Sequence, residues 1–131
     1  MQISEINDTM ALVIMGHIFR EYRERMGRSQ AEICKMIGYK NPNYITMVET
    51  GRTKLPINKV LLAAKKYDLG KYGVPFLVKM LYPEVWSIIL QILKDNSEDI
   101  KSKTLLNYDK DIDEELLMII RENKLEKFMQ S

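Results

Sequence analysis

Apolar residues in the first part of the chain recur every three or four positions, at Leu12, Met15, Ile18, Phe19, Tyr22 and Met26. That period puts them on one face of a helix, so a helix is expected from about Asp8 to Met26, stopped by Gly27. Ser29 and Glu32 then stand at the S-x-x-E spacing of a capping box, in which each side chain satisfies a free backbone amide of the other residue. A second, short helix is expected from there to Ile37, closed by Gly38. Asn41 and Pro42 give another start signal. Asparagine accepts from first-turn amides, and proline at the first helical position loses nothing by lacking an N–H. A third helix is therefore expected over Pro42–Thr50, closed by Gly51, and Pro56 opens a fourth, INKVLLAAKKYDL, ending near Gly70.

The glycines and proline of DLGKYGVP mark the expected boundary between two units, residues 1–70 and 71–131. Beyond it, Pro83 starts PEVWSIILQILKDN, whose Val85, Ile88, Ile89, Ile92 and Leu93 form an apolar stripe that Trp86 and Leu90 widen. A face this broad needs cover on more than one side, from its own chain or from a second copy. The last segment opens with acidic residues, DIDEELL, and turns basic in IIRENKLEKF, the polarity that suits a helix macrodipole. No repeat, low-complexity tract or strand alternation interrupts these periods. The expected class is all-α, a helical bundle followed by a helical extension.

Composition agrees with a globular chain: 46% of the 131 residues are hydrophobic and 29% charged. No apolar run approaches the roughly 18 residues of a membrane-spanning helix. The opening MQISEINDTM lacks the basic-then-apolar order of a secretion signal, and one cysteine makes no internal disulfide, so a cytoplasmic location is expected. Charge is uneven. Residues 1–70 carry 11 Lys/Arg against 7 Asp/Glu, and residues 71–131 carry 9 against 11, so a polyanionic partner is expected to meet the first part.

Catalytic chemistry finds little support. His17, the only histidine, has no metal-ligand spacing around it and is expected at a solvated helix position. Cys34 has no histidine-based dyad and reads as a core residue. The acidic run from Asp109 to Glu115 lacks the glycine and spacing of a calcium loop and reads as helix-start charge. No phosphate-binding glycine motif is present. No catalytic residue, metal or cofactor is expected, and an enzyme is not.

Three short helices in succession, with a tight glycine turn between the second and third, make a helix-turn-helix arrangement. Cys34 supplies the small residue where the second helix crosses the third, and Ile33, Ile37, Ile45 and Val48 fill the wedge beneath. The opposite side of the third helix carries Asn43, Thr46, Met47 and Thr50, at i, i+3, i+4 and i+7. In a major groove, asparagine can pair with adenine, while threonine and methionine can meet a thymine methyl. Taken alone, the same residues also suit the solvated side of a surface helix. Tyr44, beside the seam, is placed to meet either a phosphate or the core.

A longer window favours the first reading. Residues Ile18 to Leu69 resemble the lambda-repressor/Cro type of helix-turn-helix domain, the Xre family, through REYRERMGRSQAEICKMIGY, ITMVETGRTKLP and KKYDLG. Ser29-Gln30, Glu32, Gly38, Ile45, Val48, Glu49 and Gly51 match in order. The resemblance implies that Gln30 bonds a DNA phosphate at a helix N-terminus. It further implies that Asn43, Thr46 and Met47 face the groove, and that Thr50, Arg52 and Lys54 clamp phosphates. Arg23 and Glu49 fall where family members form a buried ion pair.

The interval from Gly38 to Gly51 holds one residue more than is usual, placed in the turn at Lys40 and Asn41, which brings both onto the DNA side with Lys40 as a phosphate contact. Met47 stands where a polar reader is common. The expected function is a sequence-specific transcriptional regulator of a prokaryote or phage, a repressor. It would act on double-stranded DNA as a homodimer through residues 71–131, on half-sites roughly 34 Å apart. The alternative is an antitoxin-like or adaptor protein whose C-terminal helices hold a partner protein. A ligand-responsive sensor is a third class.

Overall fold

The computed structural model describes residues 2–96 and 100–129, with side chains for 2–96 and 107–129. Local capping sets where the helices begin. Helix α1, Asp8–Arg25, starts behind Asn7, whose side chain accepts from the Met10 amide at 2.9 Å. Helix α2, Gln30–Ile37, opens with the expected capping box: Glu32 N donates to Ser29 Oγ, and Ser29 N donates to Glu32 Oε1, both at 3.1 Å. Gly38 ends α2 at φ +95°, a left-handed conformation that glycine adopts without steric cost. Helix α3, Asn43–Glu49, follows the turn, and a 3-10 turn, Ile57–Lys59, leads into α4, Val60–Lys66. The chain continues through α5, Gly73–Leu81, α6, Pro83–Asp95, and α7, Ile100–Glu122, to a final 3-10 turn, Glu126–Met129. No strand occurs among the described residues. The all-α class holds, with a lambda-repressor-like bundle followed by further helices.

Helix α5 was not foreseen. Gly73 and Pro75 read as linker signals, yet both lie in its first turn, where amides have no intrahelical partner and proline costs no hydrogen bond. Its Phe76, Leu77, Met80 and Leu81 are buried, and it packs against α1 and α4. One cluster of buried side chains runs from Ala11 to Met129, so the segments on either side of DLGKYGVP share a core.

The tightest approach between helices was also hidden from the sequence. A Cβ on Gly16 of α1 would stand 2.5 Å from Glu49 O and 2.9 Å from Val48 O, the backbone that ends α3. Only a residue without a side chain lets α3 seat this deeply. Cys34 is buried as expected, and its thiol donates to Asn41 O at 3.2 Å, with Tyr39 O also within reach at 3.4 Å, tying α2 to the turn.

The acidic run is not a helix start. Helix α7 begins well before it, at Ile100, and Asp109 and Asp113 instead bind Lys79 of α5 at 2.7 and 2.5 Å. Asp109 also accepts from Trp86 Nε1 of α6 at 2.8 Å, so one carboxylate pins three helices together. His17 is half-buried rather than solvated, stacked on Phe128 with ring centroids 4.6 Å apart. Burial, with Lys127 and Arg20 nearby, lowers its pKa. Among the described residues no single helix is long and apolar enough to cross a membrane.

Gly16→Ala is expected to lower unfolding stability by about 1–3 kcal/mol, the range for overpacking a tight contact; an unchanged urea midpoint would show that α1 and α3 do not meet this closely. Because the folded state holds His17 below the ordinary value of about 6.5, the unfolded chain binds more protons there, and stability falls as pH drops through that value. In His17→Phe, urea midpoints measured between pH 7.5 and 5.5 should therefore fall less than in the parent. Equal falls in both proteins would contradict the stacked, partly desolvated ring.

Candidate nucleic-acid interface

Three elements converge on Glu49, the last residue of α3. The residue is 5% exposed, and its carboxylate accepts from Arg23 Nε of α1 at 2.8 Å and Arg23 Nη2 at 2.9 Å, a two-pronged ion pair. Tyr67, which caps α4, donates its hydroxyl at 3.0 Å, and Gln30 of α2 donates its amide at 3.1 Å. The remaining reach of Arg23 is used on Arg28 O, at 2.9 Å, which closes the α1–α2 loop. The hydrogen bonds that Arg23 donates to Glu49 raise the Arg23 pKa, and burial raises that of the Tyr67 phenol, so both remain donors. The ion pair expected from the sequence is present; the contribution of Tyr67 was not anticipated, because nothing local in YDLG announces it.

With Ile45 and Val48 in the core and Glu49 held from three sides, α3 presents Asn43, Met47 and Thr50 outward. Thr46, expected on that same face, is half-buried at the seam with α2. Its hydroxyl donates to Gln30 Oε1 at 2.7 Å. The Gln30 amide is oriented by its neighbours: Glu49 can only accept, so the nitrogen faces it and the oxygen faces Thr46. Thr50 donates to Thr46 O of its own helix at 2.7 Å.

The longer turn is folded by its own side chains. Asn41 Oδ1 accepts from the Asn43 amide at 3.0 Å, and the helix begins at Asn43, one residue inside the expected start, with Pro42 at the cap position. Lys40, Asn41, Asn43, Tyr44 and Met47 surround one open concavity together with Tyr39, which the sequence had not singled out. Tyr39 and Tyr44 pack with centroids 4.1 Å apart, and the Tyr44 hydroxyl donates to Lys54 O at 3.4 Å. Tyr44 is thus attached to the turn and to the loop after α3, and its burial raises the phenol pKa.

Exposed Arg52 and Lys54 stand in that loop. The Lys54 ammonium lies 4.7 Å above the Tyr82 ring. Lys59, not foreseen, sits over Tyr39 and donates to Ile37 O at 3.3 Å, neutralising the C-terminal end of α2.

Residues 19–71 match the helix-turn-helix family model. This segment is a helix-turn-helix domain of the lambda-repressor type. Comparison with curated proteins and with solved structures found no match. The helix-turn-helix domain is a DNA-binding one, and α2, the turn after it and α3 all lie within the matched residues. Of the sequence-predicted residues, Lys40, Asn41, Asn43, Met47, Thr50, Arg52 and Lys54 are exposed, and Gln30, Tyr44 and Thr46 are half-buried.

Arg23→Ala strands the Glu49 carboxylate and is expected to cost about 3–5 kcal/mol in chemical denaturation. Replacing both partners by apolar residues, Arg23→Met with Glu49→Leu, should recover only part of that loss, because the buried Tyr67 hydroxyl and the Gln30 amide lose their acceptor as well. A single substitution costing under about 1 kcal/mol would be at odds with a desolvated pair.

Proposed function

We propose that this protein is a sequence-specific transcriptional regulator that inserts α3 into the major groove of double-stranded DNA. The observation that carries this reading is the anchoring of α3. Its inner side and C-terminal carboxylate are fixed in the core, while Asn43 and Met47 are exposed, as are the basic residues Lys40, Arg52 and Lys54. Asn43 is the base reader, suited to adenine, and Met47 meets a thymine methyl. Lys40, Arg52 and Lys54 bind phosphates, with Thr50 and Tyr44 beside them. Gln30 contacts the backbone through the amide hydrogen not used on Glu49, and Thr46 acts by holding Gln30 in place. Asn41 shapes the turn that brings Lys40 to the DNA.

The regulator acts as a cytoplasmic repressor and a homodimer through residues 71–131. One such domain makes few base contacts, and two copies on half-sites one helical turn apart multiply affinity and specificity. Steric occlusion of a promoter requires only tight, specific binding.

In a gel-shift titration, Asn43→Ala should relax preference between duplexes of different sequence by roughly 1–3 kcal/mol at one base position. Lys54→Ala should weaken binding to all duplexes alike and reduce the slope of log affinity against log salt by about 1. Were neither substitution to change binding, the face assigned to DNA would be the wrong one.

A further inference from the structure

We propose that Tyr82, outside the helix-turn-helix segment 19–71, is a positioning residue for DNA affinity: its hydroxyl holds the loop after α3 and its ring steadies the Lys54 ammonium for a phosphate. The step to affinity rests on the DNA-binding reading above; the two contacts do not.

Tyr82 stands at a fixed corner. It is the single residue between α5 and α6, where the chain bends by 112°. Its amide donates to Val78 O of α5 at 2.8 Å, and its carbonyl accepts from the Val85 and Trp86 amides of α6 at 3.0 and 3.1 Å. Pro83 behind it disfavours helical backbone at Tyr82, which lies at φ −133° and ψ 60°. Past the corner, Trp86 bonds Asp109 of α7, which also pairs with Lys79 of α5. The side chain of Tyr82 therefore starts from backbone that both helices hold.

The loop it meets has no regular structure of its own. No residue from Gly51 to Pro56 is helical, so the bonds its carbonyls accept set its path. Two tyrosines supply them at adjacent residues: Tyr44 of α3 donates to Lys54 O at 3.4 Å, and Tyr82 donates to Leu55 O at 2.6 Å. The shorter bond is the firmer anchor. Burial raises the Tyr82 phenol pKa, so the hydroxyl remains a donor. Leu55 is buried and Lys54 is exposed, so the anchor lies one residue from the side chain that faces solvent.

The ring of Tyr82 lies under that side chain, with the Lys54 ammonium 4.7 Å from its centroid. Ordering a lysine costs rotamer freedom, and the cation–ring attraction offsets part of that cost before any partner arrives. Among the described residues no carboxylate forms an ion pair with Lys54. Its N–H donors thus remain available to a phosphate. A phosphate carries no base identity, so the contribution is the same for every sequence.

NMR of the full chain without DNA tests the contacts. The Lys54 Hε resonances should be displaced upfield by the Tyr82 ring in the parent and in Tyr82→Phe, and should return to ordinary values in Tyr82→Leu. Gel-shift titrations then test the role, with circular dichroism of the same samples separating weaker binding from unfolding. Tyr82→Leu should weaken binding to all duplexes alike by roughly two- to fivefold and leave the preference between them unchanged. Lys54→Ala should cost less affinity in the Tyr82→Leu background than in the parent, because the two side chains act as a pair. Tyr82→Phe, which keeps the ring, should lose less than Tyr82→Leu but still about twofold through the freed loop, and it decides the matter should Tyr82→Leu not fold. Undisplaced Lys54 resonances in the parent, or Tyr82 variants that bind as the parent does while Lys54→Ala binds more weakly, would overturn the proposal and leave the DNA-binding reading standing. Displaced resonances in a protein whose affinity for duplexes is indifferent to Lys54→Ala would instead sink the DNA face assigned to Lys54, and the role of Tyr82 with it.

Discussion

The carboxylate of Glu49 receives hydrogen bonds from Arg23, Gln30 and Tyr67, and so joins α1, α2 and the end of α4 to the last residue of α3. A charge this deeply buried is tolerated only when its lone pairs are filled by good donors, and here four donors fill them. The consequence is geometric. Helix α3 has only seven residues, too few to hold itself in water, and its position is set by Glu49 at one end and by Ile45 and Val48 along its inner side. Gly16 allows α1 to accept the α3 backbone directly, so the hub and the close contact act on the same end of the same helix.

A helix fixed at its C-terminal end and inner side offers its N-terminal residues and outer side to a partner. Asn41 completes this arrangement by accepting from the Asn43 amide at the start of α3, and the Cys34 thiol anchors the turn before it. The network also reaches the surface, because Gln30 passes from Glu49 to Thr46. Loss of the buried pair would then be felt where α2 and α3 meet as well as in overall stability. Tyr82 makes a second connection, from the loop after α3 to the start of α6.

Much of the fold was legible because helix starts are local chemistry. Ser29 and Glu32 cap as their spacing implies, whereas Asn41 bonds the Asn43 amide from one residue before the cap position, which Pro42 takes. Helix α5 was missed because Gly73 and Pro75 are breakers in a helix interior but harmless in a first turn, and local sequence does not say which applies. Gly16 carries no signal of its own; its role depends on a backbone 33 positions away in the chain. The site was legible to the level of which helix faces outward. The commitments of individual side chains were not, since Thr46 and Gln30 find each other across 16 positions, and Lys79 finds Asp109 across 30. Likewise the stripe on α6 could be read, but which of its residues face α7 and which face solvent follows only from the Trp86–Asp109 bond.

The claim that the α3 face meets DNA is tested most directly by amide chemical-shift mapping of the isotopically labelled full chain titrated with duplex DNA. The account predicts perturbations at the start of α2, through the turn from Gly38 to Asn43, along the outer side of α3, and at Arg52 to Lys54, fading as salt is raised. Perturbations confined to α6 and α7, or none at low salt, would contradict it.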